Sequence, residues 1–289
     1  MTGLALALVF GSAFIHAAWN LLAKRAAGGV EFVWLIALMV TVCYAPVLGV
    51  YVWLERPVFT LQHALLAVGS AIIHVFYFVS LQRGYRAGDL SLVYPLARGS
   101  GPALATLLAV VFLGESPGLQ ALAGTLLVVV SVFVLAGSGG KADRQGGAAA
   151  RRAVVYGLVT GVFISLYTTW DGYAVAHAGA VPVVFMLVSE AVRTAILAPI
   201  ALRNRPEVAR IWREAKGATI GVALLSPLAY LLVLTAMQFT PVSLVAPTRE
   251  ISILIGTVLG ARLLSEGHWR RRLLGAAGMM AGVTLLVLA

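Results

Sequence analysis

Runs of about 20 almost unbroken apolar residues recur along this 289-residue chain, and short connections between them carry most of its lysines and arginines. No other feature constrains the fold as much. About 20 apolar residues let a helix cross a bilayer. In hydrocarbon every backbone polar group must be satisfied within the protein, which leaves helices or closed barrels. Barrel strands would alternate apolar and polar side chains over about ten residues, whereas these runs are continuous. Composition agrees: 61% of residues are apolar, 11% are charged, and the mean hydropathy is +0.95. An ordinary soluble domain is roughly 25% charged, and in water this chain would expose large apolar patches. A soluble enzyme, a disulfide-built secreted domain and a disordered tail are thereby excluded. The fold class is an all-α integral membrane protein.

Spans are expected near 3–23, 31–53, 61–82, 90–113, 118–136, 153–171, 181–202, 217–238, 241–264 and 273–289. The longest break, 137–152, is rich in Gly, small polar residues and charges, and reads as a cytoplasmic linker between a unit at 1–136 and a unit at 153–289. Basic residues fall in alternate connections. Lys24, Arg25, Arg83, Arg86, Lys141, Arg144, Arg151, Arg152, Arg203, Arg205, Arg210, Arg213, Lys216 and Arg270 to Arg272 lie on one side; Arg56 alone lies on the other. The positive-inside rule puts the first set in the cytoplasm and, with ten spans, both termini outside the inner (cell) membrane. A net charge of +10 therefore reflects orientation rather than a nucleic-acid partner. No Lys or Arg precedes Lys24, so the first run reads as a permanent span rather than a signal peptide. Cys43 is the single cysteine and reads as a small core residue. Trp53, Trp170 and Trp269 are expected at span ends, where indole favours the interface.

The two units resemble each other. Ser91-Leu-Val-Tyr-Pro-Leu-Ala-Arg98 matches Ser243-Leu-Val-Ala-Pro-Thr-Arg249 at an offset of 152, falling to 151 at the arginines; Glu115/Glu266, Gly124/Gly275 and Trp19-Asn20/Trp170-Asp171 keep 151. Five spans per unit is an odd number, so the second copy starts on the opposite face. The expectation is ten transmembrane helices in two inverted five-helix repeats, an architecture of secondary transporters.

The paired SLVxP segments with their following Arg, the Gly114-Glu115 and Ser265-Glu266 pairs and the HAAWN stretch (His16–Asn20) resemble the EamA-type transporters of the drug/metabolite transporter superfamily. That resemblance implies two inverted five-helix repeats around a central cavity and movement of small metabolites without ATP. It implies no shared set of catalytic residues and no cofactor.

Arg98, Glu190, Arg193, Arg249 and Glu250 all fall near expected span centres. Each unpaired charge there costs about 2.5–3.5 kcal/mol on insertion scales. The five must pair with one another or face a wet cavity. Glu190 and Arg193 share a helix face; Arg249 can meet Glu190, and Glu250 can meet Arg98 or Arg193. Three arginines against two glutamates favour an anionic or zwitterionic substrate. By the repeat, Arg98 and Arg249 should stand at similar depths on opposite sides of the membrane centre, one near each mouth of a shared cavity. His16 and Asn20 on span 1, His74 and Tyr77 on span 3, Tyr94 and Tyr230 complete the candidate lining, with interhelical hydrogen bonding the competing reading. Pro95 and Pro247 each remove one helical hydrogen bond and are candidate hinges or static kinks. A His16–His74 metal site has no third ligand in view. Gly157/Gly161, Gly217/Gly221, Gly256/Gly260 and Gly278/Gly282 have the spacing of close helix packing, within a monomer or across a homodimer.

The expected activity is secondary active transport of a small polar metabolite, in or out, by alternating access. Glu190 and Glu250 are the candidate carriers if protons are coupled. A flippase for lipid-linked substrates on the same fold is the alternative. An intramembrane enzyme would need a set such as HExxH or a nucleophile with its base, which the sequence does not contain, and no Walker-type loop supports an ATP-driven pump.

Overall fold

The computed structural model describes residues 1–23, 29–87, 90–136, 148–255 and 269–289. All regular structure among them is helical: α1 (Gly3–Ala23), α2 (Val30–Glu55), α3 (Leu61–Ala87), α4 (Leu90–Leu113), α5 (Leu119–Ala136), α6 (Ala148–Ala176), α7 (Pro182–Ala201), α8 (Arg205–Met237), α9 (Val242–Thr248) and α10 (Trp269–Leu288), with a 3-10 turn at Leu202–Asn204 and a helical stretch at 251–255. Six stretches are long and apolar enough to cross a membrane: Gly3–Asn20, Val30–Glu55, Leu61–Ala87, Leu96–Leu113, Arg151–Ala176 and Pro182–Met237, the last containing α7 and α8. Leu119–Leu135 and Leu273–Leu288 are shorter apolar helices. Phe14, Leu65, Phe76, Phe112 and Leu126 are exposed on the outside of the bundle, where lipid rather than water suits them. The chain is a multi-pass membrane protein.

Helices of the two halves interleave. α1 packs on α8 and α3 on α6; α2 packs on α7, α4 on α9 and α5 on α10. The first helix of each half thus meets the third of the other, while the second, fourth and fifth meet their own counterparts. Exchanging the halves leaves these five pairings unchanged; the extensive α4–α6 contact has no equal counterpart among the described residues. One apolar core, including Val9, Phe185, Leu234 and Met237, lies toward the end of the bundle that carries Leu113 and Ala180; a second, with Val128, Val132 and Met279, ties α5 to α10.

Small residues set the closest approaches. A side chain on Gly161 would overlap Ser100 Oγ, and one on Gly157 would lie 2.9 Å from Leu96 Cβ, so α6 can rest directly on α4. Gly278 and Gly282 do the same against Ser131 and Val128 of α5. Gly221 meets Leu22, but Gly217 has nothing within 4 Å and serves no packing contact. Gly256 and Gly260 lie outside the described residues.

Gly114 follows α4 with φ of +69°. The left-handed turn lets Glu115 N–H reach back six residues to bond Ala109 O at 3.2 Å, which closes the helix end. It aims the Glu115 carboxylate at the start of α9, where its two oxygens accept the N–H groups of Val242 (2.7 Å) and Ser243 (2.9 Å). A helix N-terminus leaves such donors unpaired and carries a partial positive charge. The carboxylate answers both needs, across the two halves.

Several boundaries differ from expectation. α6 runs from Ala148 to Ala176 rather than over 153–171; nothing within 171–176 breaks a helix, and the turn waits for Gly179, at φ +72°. α8 begins at Arg205 rather than 217. Its charged first turns resemble a loop in sequence, yet Arg210 bonds Glu207 (2.6 Å) and Glu214 (2.5 Å) along one face, and Ala215 (φ −125°, ψ 22°) marks the kink where the apolar part starts. The expected span 241–264 is interrupted: α9 ends at Thr248, and the N–H groups of Glu250, Ser252 and Ile253 bond the carbonyls three residues back. Pro247 takes one bond out of that ladder. Pro95, by contrast, lies inside the unbroken α4. Trp170 is not at a span end: its Nε1 donates to Leu66 O (2.8 Å) and its ring packs on Gly69 of α3. The linker residues 137–147, Glu266 and the Trp269 and Arg270–Arg272 side chains lie outside the described residues.

Candidate functional site

Interleaving leaves a cavity of about 790 Å³ between the halves. α1, α2, α3 and α4 of the first half and α6, α7 and α8 of the second supply its walls, with Gly29, Gln82, Tyr85 and Arg86 at the end that bears the basic connections. Of the expected lining residues, His16, Asn20, His74, Tyr77, Tyr94, Arg98, Glu190, Arg193, Tyr230 and Arg249 all border it. Glu250 does not. It is 3% exposed and stands 3.0 Å from Arg98 Nε. Arg98 and Arg249, expected one at each mouth, face the same cavity.

Among the described residues, the intramembrane charges expected from sequence sort into two pairs and a single cation. Arg193 Nη2 lies 2.5 Å from Glu190 Oε2, one helical turn apart on α7. Arg98 pairs with Glu250, linking α4 to the second half. Arg249 does not reach Glu190; its guanidinium stands over the Tyr230 ring, 5.9 Å from the centroid. Among the described residues it has no ion pair. A guanidinium that presents unpaired N–H donors to a wet cavity is suited to a carboxylate or phosphonate.

Aromatic rings shape the remaining wall. His74 stacks on Tyr167 (4.2 Å between centroids) and meets Tyr230 edge-on (5.9 Å). Its Nδ1 lies 2.9 Å from the Ser70 carbonyl, which fixes the hydrogen on Nδ1 and leaves Nε2 as an acceptor. Tyr77 leans on Tyr167 at 5.6 Å. On α1, His16 meets Trp19 edge-on at 4.7 Å, and Asn20 Nδ2 donates to the His16 carbonyl at 2.8 Å. His16 and His74 thus have separate partners. Among the described residues no three His, Cys, Asp or Glu side chains come together as metal ligands.

Asp171 is the residue that sequence reasoning left out of the site. It is fully buried on α6, and its Oδ2 accepts a hydrogen bond from the Tyr230 hydroxyl. Two signals were present: it is ionisable, and it matches Asn20 at the repeat offset. Placing the span end at 171 put it at the membrane surface, whereas α6 continues to Ala176. Tyr167, Ser70 and Ser189 also border the cavity; nothing in their spacing distinguishes them from core residues.

The EamA-like transporter family matches this chain twice, over residues 3–137 and 151–288. No curated protein matches it. One solved structure, described only as the crystal structure of a protein, is similar with a TM-score of 0.75 over 100% of this chain and 98% of the other, at 17% identity; that likeness shows the fold. With two matches that together span nearly its full length, the chain belongs to the EamA-like transporter family, whose members are membrane transporters.

Proposed function

We propose that the protein is a secondary active transporter of a small anionic or zwitterionic metabolite, working by alternating access in the inner membrane. The observation that carries this reading is the cavity: ionisable and hydrogen-bonding groups from both halves surround one space deep among apolar helices. Such groups are expensive in a membrane and mark substrate pathways. The exchange-invariant packing supports ten spans in two inverted repeats, 1–136 and 153–289, joined by a cytoplasmic linker. Two nearly equivalent halves can swap roles, opening the cavity first to one face and then to the other. With the basic connections in the cytoplasm, the cavity described here opens inward and both termini lie outside. Arg249 holds the negative end of the substrate, the Glu190–Arg193 pair faces it, and the stacked rings of His74, Tyr77 and Tyr167 enclose its body. Pro247, at the break after α9, is the proposed hinge; Pro95, in an unbroken helix, has less support for that role.

The test has two stages. Purified protein is screened for thermal stabilisation by amino acids, organic acids and phosphonates, and the hits are assayed for flux into sealed proteoliposomes. Stabilisation and flux that both fall on Arg249→Ala, with normal protein abundance, support the reading. Flux unaltered in both Arg98→Ala and Arg249→Ala variants would remove the two arginines from the substrate path, and absence of flux for every stabilising compound would end the transport reading.

A further inference from the structure

Asp171 differs from the other intramembrane carboxylates. Glu190 has Arg193 and Glu250 has Arg98. Asp171 has no cation partner among the described residues. It is 0% exposed, Tyr230 donates to Oδ2, and Oδ1 makes no hydrogen bond.

Tyr230 and Ser70 are the side chains that meet it, and the elements around them carry further polar and charged groups. α3 contributes Ser70, whose hydroxyl faces the carboxyl, and His74, tied to the Ser70 carbonyl. α7 contributes Ser189, which donates to Ser70 Oγ at 3.4 Å, and Arg193, held by Glu190. α8 contributes Tyr230, with Arg249 over its ring. From α4 comes Arg98, held by Glu250; from α9, Val242, against Gly172. On α6 itself Tyr167 lies one turn earlier.

An ionised carboxylate with only the neutral hydroxyls of Tyr230 and Ser70 beside it, and no counter-charge among the described residues, is poorly solvated in such a place. A protonated one is not. A proton on the unbonded Oδ1 removes the charge, while Oδ2 keeps the bond from Tyr230. The repeat adds an independent argument. The matching residue in the first half is Asn20, an amide that is neutral at every pH. The duplicated position is therefore ionisable in one half only.

We propose that Asp171 is the proton-carrying residue of the transport cycle, taking up and releasing one proton, with Tyr230 as the positioning residue that connects it to the substrate-facing Arg249. On release the O–H bond at Oδ1 breaks, the electron pair stays on the carboxylate, and the proton passes to cavity water. Glu190 and Glu250, neutralised by arginine, carry no proton in the cycle.

This rests on the transport reading, but its test needs no substrate. Acid-minus-alkaline infrared difference spectra are recorded on the full-length protein in liposomes. The expected result is one protonated-carboxyl band that titrates. It shifts when the unmutated protein is grown with ¹³C-aspartate, disappears in Asp171→Asn, and survives in Glu190→Gln and Glu250→Gln. In Tyr230→Phe its frequency moves, because a hydrogen bond to the carboxyl is gone. The isotope experiment stands even if a variant fails to fold. A band insensitive to ¹³C-aspartate, a band retained in Asp171→Asn, or no titrating band would each overturn the proposal. So would suppression of the band by sodium chloride but not by choline chloride, which would make the ion sodium. A titrating Asp171 in a protein that moves no compound would instead sink the transport reading and leave the proton site standing.

Discussion

Arg98 of the first half and Glu250 of the second form an ion pair, Nε to Oε2 at 3.0 Å, with both side chains under 10% exposed. The pair joins α4 to the break that follows α9, so the two matching segments of the repeat are tied by charge at their closest point of functional interest. Removing one partner leaves the other buried and uncompensated, which costs about 3–5 kcal/mol. Arg98→Met or Glu250→Gln should each lower stability on that scale. The double variant Arg98→Met/Glu250→Met should cost far less than the sum, since no orphaned charge remains. Additive losses in denaturation of the detergent-solubilised protein would show that the pair does not act as a unit.

Arg249 makes no ion pair among the described residues, so its removal orphans no carboxylate. Arg249→Gln should leave the unfolding midpoint nearly unchanged while weakening binding of an anionic ligand by about 1.5–3 kcal/mol, the range of a charged hydrogen bond, or roughly 10- to 150-fold in Kd. Isothermal titration with a ligand found by thermal screening provides the check. Equal affinity in wild type and variant would remove Arg249 from the binding site.

Glu115 accepts both leading N–H groups of α9 across the boundary between halves. Glu115→Ala should cost about 1–2 kcal/mol, in line with loss of a helix cap, and Glu115→Gln less, because an amide oxygen can still accept one of the bonds. Amide exchange should rise at Val242 and Ser243 before it rises elsewhere in α9. Unchanged protection at those two amides would mean that the clasp is not held in solution.

Gly161 and Gly217 provide a matched comparison. Gly161→Leu would drive a side chain into Ser100 and force α6 off α4, whereas Gly217→Ala meets open space and gains helix propensity. The first should abolish recovery of monodisperse protein. The second should be neutral or raise stability by up to about 1 kcal/mol. Size-exclusion profiles and melting curves of the two variants suffice, and a well-behaved Gly161→Leu would refute the close α4–α6 packing.

Much of this protein is legible in its residues taken in order. Continuous apolar runs require helices in lipid because nothing in hydrocarbon can bond an open backbone. The paired Ser-Leu-Val-x-Pro segments reveal the duplication, and the cost of intramembrane charge singles out Arg98, Glu190, Arg193, Arg249 and Glu250 without any coordinates. The Glu190–Arg193 pair follows from helical periodicity alone, since both partners share one helix. Partners on different helices do not follow from it. That Glu250 takes Arg98 and leaves Arg249 over Tyr230, that Trp170 packs on Gly69 rather than at the interface, and that Asp171 is buried beside Tyr230 depend on how far each helix extends and which faces it turns inward. Those are set by packing across the whole bundle. Sequence determines which groups cannot tolerate lipid; the tertiary structure decides which of them neutralise one another and which, like Asp171, have no counter-charge among the described residues.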